Sequence, residues 1–161
     1  MLKTISEKTP KAKGGAFAIV ASQYNAKYVD SMLEAAEREL KAAGVRSIQI
    51  VRVPGAFEIP TVAAKLAGRK KPPFSAILCL GVVIRGETAH AQLISEAVSL
   101  GLAQLQINHQ IPIIHSVLLL ENEAQAQARC LDPKHNRGLE AAHTALAMAQ
   151  VMRGLSNSTG A

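Results

Sequence analysis

Five consecutive residues, Gly86, Glu87, Thr88, Ala89 and His90, combine a backbone that a ligand can approach closely, a hydroxyl able to cap a helix, and an imidazole able to move a proton. If a helix starts here, its free amide N–H groups and positive dipole end attract an anion such as phosphate. The segment is not a phosphate loop, because no Gly-Lys-Ser/Thr follows a glycine-rich run. In a first helical turn the dipole disfavours the imidazolium, which leaves His90 neutral and able to accept a proton, while a bound phosphate opposes that bias. His90 is therefore the candidate acid/base.

Tryptophan is absent, and two of the few aromatic residues, Tyr24 and Phe57, each follow an apolar run. A ring at the mouth of a site can stack on a heteroaromatic substrate, whereas a single ring in such a place more often covers the core under a loop. The pair together favours stacking. Glu58 follows a Pro-Gly turn, where a carboxylate either stabilises a helix start or accepts from substrate hydroxyls, and the sequence leaves both roles open. His115 lies among apolar neighbours and reads as a hydrogen-bonded core histidine. Arg129 and Arg137 flank a loop and either pair with phosphate or face solvent. Cys79 and Cys130 read as ordinary thiols, and His109, His135 and His143 have no mutual spacing that suggests a metal site.

These residues need elements to hold them. Residues 16–22 form a short apolar run, and 26–43 show helical spacing through Val29, Met32, Leu33, Ala36 and Leu40, stopped by Gly44. Strand composition over 47–53 ends at Pro54 and Gly55 before a helical stretch over 58–67. Residues 75–84 are apolar on both parities, as in a strand buried on both faces, and 89–109 return to helical spacing. A fourth strand is expected over 111–118, then helices over 121–130 and 138–153, and a polar tail over 156–161. Strands alternating with helices imply a three-layer α/β/α sandwich around a four-stranded, mostly parallel sheet. Ligands of such sheets bind beyond the carboxyl ends of the strands, which is where residues 23–25, 54–58, 81–90 and 119–122 fall.

A chain of 161 residues with 48% hydrophobic and 19% charged residues supports one domain with an aliphatic core. Residues 1–14 read as an N-terminal arm. No apolar run reaches the roughly 18 residues of a membrane span, and 1–15 lack the apolar centre of a secretory signal, so a cytoplasmic protein is expected. The net charge of +6 is scattered apart from Arg69, Lys70 and Lys71, a cluster that suits a helix C-terminus better than nucleic acid.

Three segments match one known pattern: Val53-Pro54-Gly55-Ala56-Phe57-Glu58-Ile59-Pro60, then Gly81-Val82-Val83-Ile84-Arg85-Gly86-Glu87-Thr88-Ala89-His90, then Asn136-Arg137-Gly138. In their order and spacing, from about residue 17 to 155, the chain resembles the 6,7-dimethyl-8-ribityllumazine synthase family, of flavodoxin-like fold. The resemblance implies condensation of 5-amino-6-ribitylaminouracil with 3,4-dihydroxy-2-butanone 4-phosphate, the penultimate step of riboflavin biosynthesis, with no metal and no organic cofactor. It implies that Tyr24 stacks on the pyrimidine, that Ala56, Phe57 and Glu58 hold the ribityl-bearing substrate, and that Val82, Val83 and Ile84 line the pyrimidine pocket. Glu87 and Thr88 fall at the phosphate-binding helix start, Arg129 at the arginine reached from the adjacent subunit, and His90 at the catalytic histidine. Arg137 stands where the family usually has Lys, and is carried with the phosphate site.

The sequence departs from the family at Ala91 to Ile94, where an aromatic residue and an acid are usual, and at Leu119 and Leu120, which replace a threonine pair. His115 stands where a phenylalanine usually packs over the pyrimidine, and is retained as a substrate contact because imidazole can stack. The resemblance further implies a pentamer-based homo-oligomer, free, paired or built into an icosahedral shell, with association with riboflavin synthase among its partners. A flavodoxin-like module that binds a flavin or nucleotide without catalysis is the alternative, since a fold alone does not fix a reaction. Formation of lumazine by the pure protein separates the two. A basic nucleic-acid scaffold is the second rival, and would show steeply salt-dependent binding.

Overall fold

An apolar run that follows Gly15 and a second run closed by Pro54 define the first two strands. In the computed structural model, which describes residues 10–158, β1 is Ala16–Ser22, buried throughout, and β2 is Ser47–Val53, partly exposed. Between them α1 (Ala26–Ala42) turns Val29, Met32, Ala36 and Leu40 towards the sheet. It ends as the sequence predicts: Gly44 takes φ 82, a value other residues rarely adopt, and Val45 N–H reaches back to the Leu40 carbonyl at 3.3 Å.

A 3₁₀ turn at Ala56–Glu58 leads into α2 (Ile59–Ala67), followed by β3 (Ala76–Ile84), α3 (His90–His109), β4 (Ile113–Leu120), a short α4 (Glu123–Ala126) and α5 (Arg137–Ser158). The strands are ordered β2-β1-β3-β4 and every pairing is parallel. On one face Phe17, Ile19, Leu78 and Leu80 meet α1 and α5, and on the other Val20, Ile77 and Cys79 meet α2 and α3. This is the expected three-layer sandwich. Each fully buried aliphatic or aromatic side chain here stabilises it by about 1.5–3 kcal/mol.

Several boundaries differ from expectation. β4 begins two residues later than 111 because Pro112 has no N–H for the ladder; its carbonyl accepts from Ile77 N–H at 2.9 Å and pairing starts at Ile113. The strand then runs to Leu120, so Leu119 and Leu120 belong to the sheet and not to the loop after it. The helix expected over 121–130 is one short turn, capped by Asn122 Oδ1 accepting from Gln125 N–H at 3.0 Å, and then widens into a π-helical turn at Gln127–Leu131. α5 extends to Ser158, so the first three residues of the expected tail are helical.

Residues 1–9 of the arm and 159–161 of the tail lie outside the described residues. Within the arm Ala12 is buried, and its N–H bonds the Ala43 carbonyl at 3.0 Å. Arg69 of the basic cluster lies 4.5 Å from the centre of the Phe74 ring, a local packing role. Among the described residues no helix is long and apolar enough to cross a membrane.

The Asn136-Arg137-Gly138 motif has a structural reason. Asn136 is buried; its side chain donates to the Cys130 carbonyl at 2.6 Å and accepts from Gly138 N–H at 2.8 Å, which fixes the start of α5. A Cβ at Gly138 would stand 1.9 Å from the Met32 carbonyl oxygen, so α5 crosses α1 closely only because that position has no side chain.

Candidate active site

The exits of β1, β2 and β3 are tied to one another. Gln23 N–H bonds the Val53 carbonyl at 2.8 Å and Tyr24 N–H the Pro54 carbonyl at 3.0 Å, joining the first two. Asn25, with φ 56, sends its side-chain N–H to the Val82 carbonyl at 2.8 Å, joining the first to the third. On this shelf Tyr24 is 73% and Phe57 56% exposed, and neither ring closes the core.

The Tyr24 ring lies beside Gly55, where a Cβ would come 3.3 Å from its Cδ2 and 2.8 Å from Glu58 Oε2. Glu58 Oε2 accepts from Gly55 N–H at 2.9 Å, so the carboxylate does stabilise the helix start. Oε1 has no hydrogen-bond partner among the described residues and the residue is exposed, so the second role stays chemically available. Ala56 is buried beneath this turn.

Along β3 the side chains alternate between the two cores. Val82 is 2% exposed and packs inwards, so it offers the shelf its carbonyl neighbourhood and not its side chain; Val83 and Ile84 are half-buried. Thr88 is not the capping residue expected: Ala89 occupies that position, and Thr88 Oγ1 accepts from His90 N–H at 3.4 Å. The first bond of α3 runs from Leu93 N–H to the Ala89 carbonyl at 3.0 Å, so the amides before it point out of the helix end. Glu87, Thr88 and His90 are all exposed there.

Arg85 holds this segment from one side. Its Nε donates to both carboxylate oxygens of Glu121, at 3.1 and 2.9 Å, and its Nη2 to Gln92 Oε1 at 2.9 Å, linking the ends of β3 and β4 to the first turn of α3.

His115, Arg129 and Arg137 sit elsewhere, in a cleft of about 720 Å³ along the unpaired edge of β4 and against α5. His115 is exposed rather than buried in the core as the sequence reading had it, because β4 is an edge strand; it is hydrogen-bonded all the same, its Nε2 lying 2.7 Å from Ser99 Oγ. Packing against α3 strips water from the imidazole and lowers its pKa below the ordinary histidine value, with its own backbone carbonyl, an acceptor that favours the protonated ring, working the other way.

Arg129 projects from the π-helical turn, a geometry that recurs at functional sites. The turn is pinned at Cys130, whose carbonyl accepts from Ser31 Oγ at 2.8 Å and from Asn136 at 2.6 Å and whose thiol burial pushes up to about 11. Arg129 makes no ion pair among the described residues, whereas Arg137 is paired with Glu140.

The arrangement supplies a stacking surface, an anion-attracting helix end and a proton carrier on the shelf, and a free guanidinium with an imidazole in the cleft. None of Tyr24, Phe57, Thr88 and His90 lines the cleft. Among the described residues no group of three His, Cys, Asp or Glu side chains is placed to hold a metal ion. Sequence reasoning missed Asn25, Arg85 and Ser99. The first two lie in the segments it selected as strand ends, but their partners are 57 and 36 residues away; Ser99 had no signal, being one of many polar residues on a helix.

A family model described as 6,7-dimethyl-8-ribityllumazine synthase matches residues 14–153. Proteins of that name from Pyrococcus furiosus and Thermococcus onnurineus are 39% and 41% identical to this chain, covering 92% and 90% of it and 92% and 93% of their own lengths. The one from Syntrophus aciditrophicus is 38% identical over 94% of this chain and 99% of its own.

Proposed function

The chain belongs to the 6,7-dimethyl-8-ribityllumazine synthase family and catalyses the condensation of 5-amino-6-ribitylaminouracil with 3,4-dihydroxy-2-butanone 4-phosphate, and we propose that it does so at a site shared between two copies of itself. One observation supports this reading: His115, Arg129 and Arg137 line the cleft beside β4, and none of Tyr24, Phe57, Thr88 and His90 does.

Tyr24 stacks on the pyrimidine, Ala56, Phe57 and Glu58 Oε1 hold the ribityl arm, and Val83 and Ile84, with the backbone at Val82, border the ring. The amides around Glu87 and Thr88 receive the phosphate, and Arg129 from the neighbouring copy completes its shell, with the Arg137–Glu140 pair beside it. The amine attacks the ketone, water leaves as the imine forms, phosphate departs, and the ring closes with loss of a second water. His90 carries the protons these steps exchange. Alignment of two bound reactants supplies most of the acceleration, about 7–11 kcal/mol in well-oriented cases.

Subunit complementation tests the shared site. His90→Ala and Arg129→Ala proteins are each impaired, and their co-assembled hybrid should recover about one quarter of parental activity, the fraction of random interfaces that pair two intact halves. A site within one chain predicts no recovery beyond the two singly impaired rates.

Members of this family act on small molecules as oligomers, and the finer assembly belongs to the same proposal: a pentamer-based homo-oligomer, free or built into larger shells, in the cytoplasm, with riboflavin synthase as an associate. Leu93, Leu100 and Ile107 support it, as three strongly exposed apolar side chains spaced by seven along α3, a row suited to contact with copies of itself. Leu100→Glu should therefore shift the mass seen by light scattering towards monomer and reduce lumazine formation with it. An unchanged mass would remove α3 from the interface.

A further inference from the structure

We propose that Ser99 is a positioning residue that locks His115 as a neutral ring protonated on Nε2, so that the face of the imidazole, and neither of its nitrogens, meets the pyrimidine substrate. The inference rests on the reading of His115 as a substrate contact and goes beyond it by assigning how the ring is held.

The hydrogen bonds fix the tautomer. Ser99 Oγ donates its single proton to the Ser95 carbonyl at 2.7 Å, so its 2.7 Å contact with His115 Nε2 requires the proton on that nitrogen. Nδ1 lies 3.3 Å from Val117 N, whose N–H it must accept. Both ring nitrogens are thus engaged within the chain, one by α3 and one by the strand itself. Protonation of Nδ1 would set two N–H groups against each other. A ring so placed is a poor acid or base and a good plate.

The charges around it agree with a neutral ring. On α3, Glu96 borders the groove beside Ser99, but its Oε1 already accepts from Gln92 at 2.6 Å. On β3 the register partner is Cys79, a buried thiol whose pKa burial raises, so it carries no charge. Across the cleft Arg137 is neutralised by Glu140, and the unpaired Arg129 disfavours a second cation nearby. Lowering of the imidazole pKa by desolvation acts in the same direction.

The test uses the assembled enzyme. Ser99→Ala should raise KM for the pyrimidine substrate about tenfold, the factor for one lost hydrogen bond, with kcat within about twofold of the parent. The penalty should grow as pH falls, because the freed ring rotates away from Val117 and protonates. Ser99→Thr should restore the parental KM, and Ser99→Ala should have no effect in a His115→Phe background, where no tautomer exists to be held. Solid-state ¹⁵N spectra of histidine-labelled protein, with His115 assigned by its absence from His115→Phe, should show protonated Nε2 and bare Nδ1. A parental spectrum with Nδ1 protonated, or a parental KM in Ser99→Ala while His115→Ala is impaired, overturns this inference alone. A parental KM in His115→Ala removes the substrate-contact reading beneath it, and the inference falls with it.

Discussion

Replacing His90 with alanine should slow lumazine formation by about 10²- to 10⁴-fold, the usual contribution of a positioned general acid/base, and should leave a measurable residual rate. The residue begins α3 and is exposed, its backbone N–H bonds Thr88, and its side chain makes no hydrogen bond among the described residues, so the change leaves the fold undisturbed and removes the proton carrier proposed above. Alignment of the two reactants survives the change because Tyr24, Glu58 and the helix-end amides are untouched. The absorbance of the product measures the rate, KM for both substrates should stay near parental, and added imidazole should recover part of the loss. A variant that turns over like the parent would take His90 out of the chemistry.

The second large effect is on stability. Gly138→Ala places a methyl group 1.9 Å from the Met32 carbonyl oxygen, 2.5 Å from its carbonyl carbon and 2.6 Å from its Cα. These are backbone atoms in the middle of α1, which no rotamer change can move. α1 and α5 must separate, loosening a core in which Met32 and Ala142 are fully buried. Overpacking of this kind costs about 3 kcal/mol, which for a chain of this length lowers the melting temperature by about 6–12 °C. Gly154→Ala is the control, since open space surrounds Gly154 within the same helix and the change should stabilise by about 0.5–1 kcal/mol. Equal melting of the Gly138 variant and the parent would contradict the close crossing.

The pattern of apolar runs and breakers was enough to locate every strand and the long helices. β1 and β2 have their predicted limits, β2 because Pro54 and Gly55 close its run, and α1 ends where Gly44 requires it. β4 was displaced because an apolar run does not reveal where its neighbour's ladder starts; Pro112 decides that only once β3 lies beside it. The π-helical turn under Arg129 has no periodic signature, since its geometry depends on Ser31 and Asn136 converging on the Cys130 carbonyl.

The candidate site was legible in the same uneven way. Strand-end position located Tyr24, Phe57, Glu58 and the segment ending at His90 without reference to any contact. The role of Glu58 as a cap, the inward turn of Val82 and the grip of Ser99 on His115 depend on side-chain directions set by packing between distant elements. His115 was misplaced because apolar neighbours in sequence do not distinguish an edge strand from a central one.

Leu93, Leu100 and Ile107 recur every seven residues, whereas an α-helix needs 3.6 residues to complete a turn. The row therefore drifts about 20° around α3 with each step, and helices that follow it must lean across one another and wind left-handed. Three side chains thus prescribe the sense of twist of any bundle these helices build.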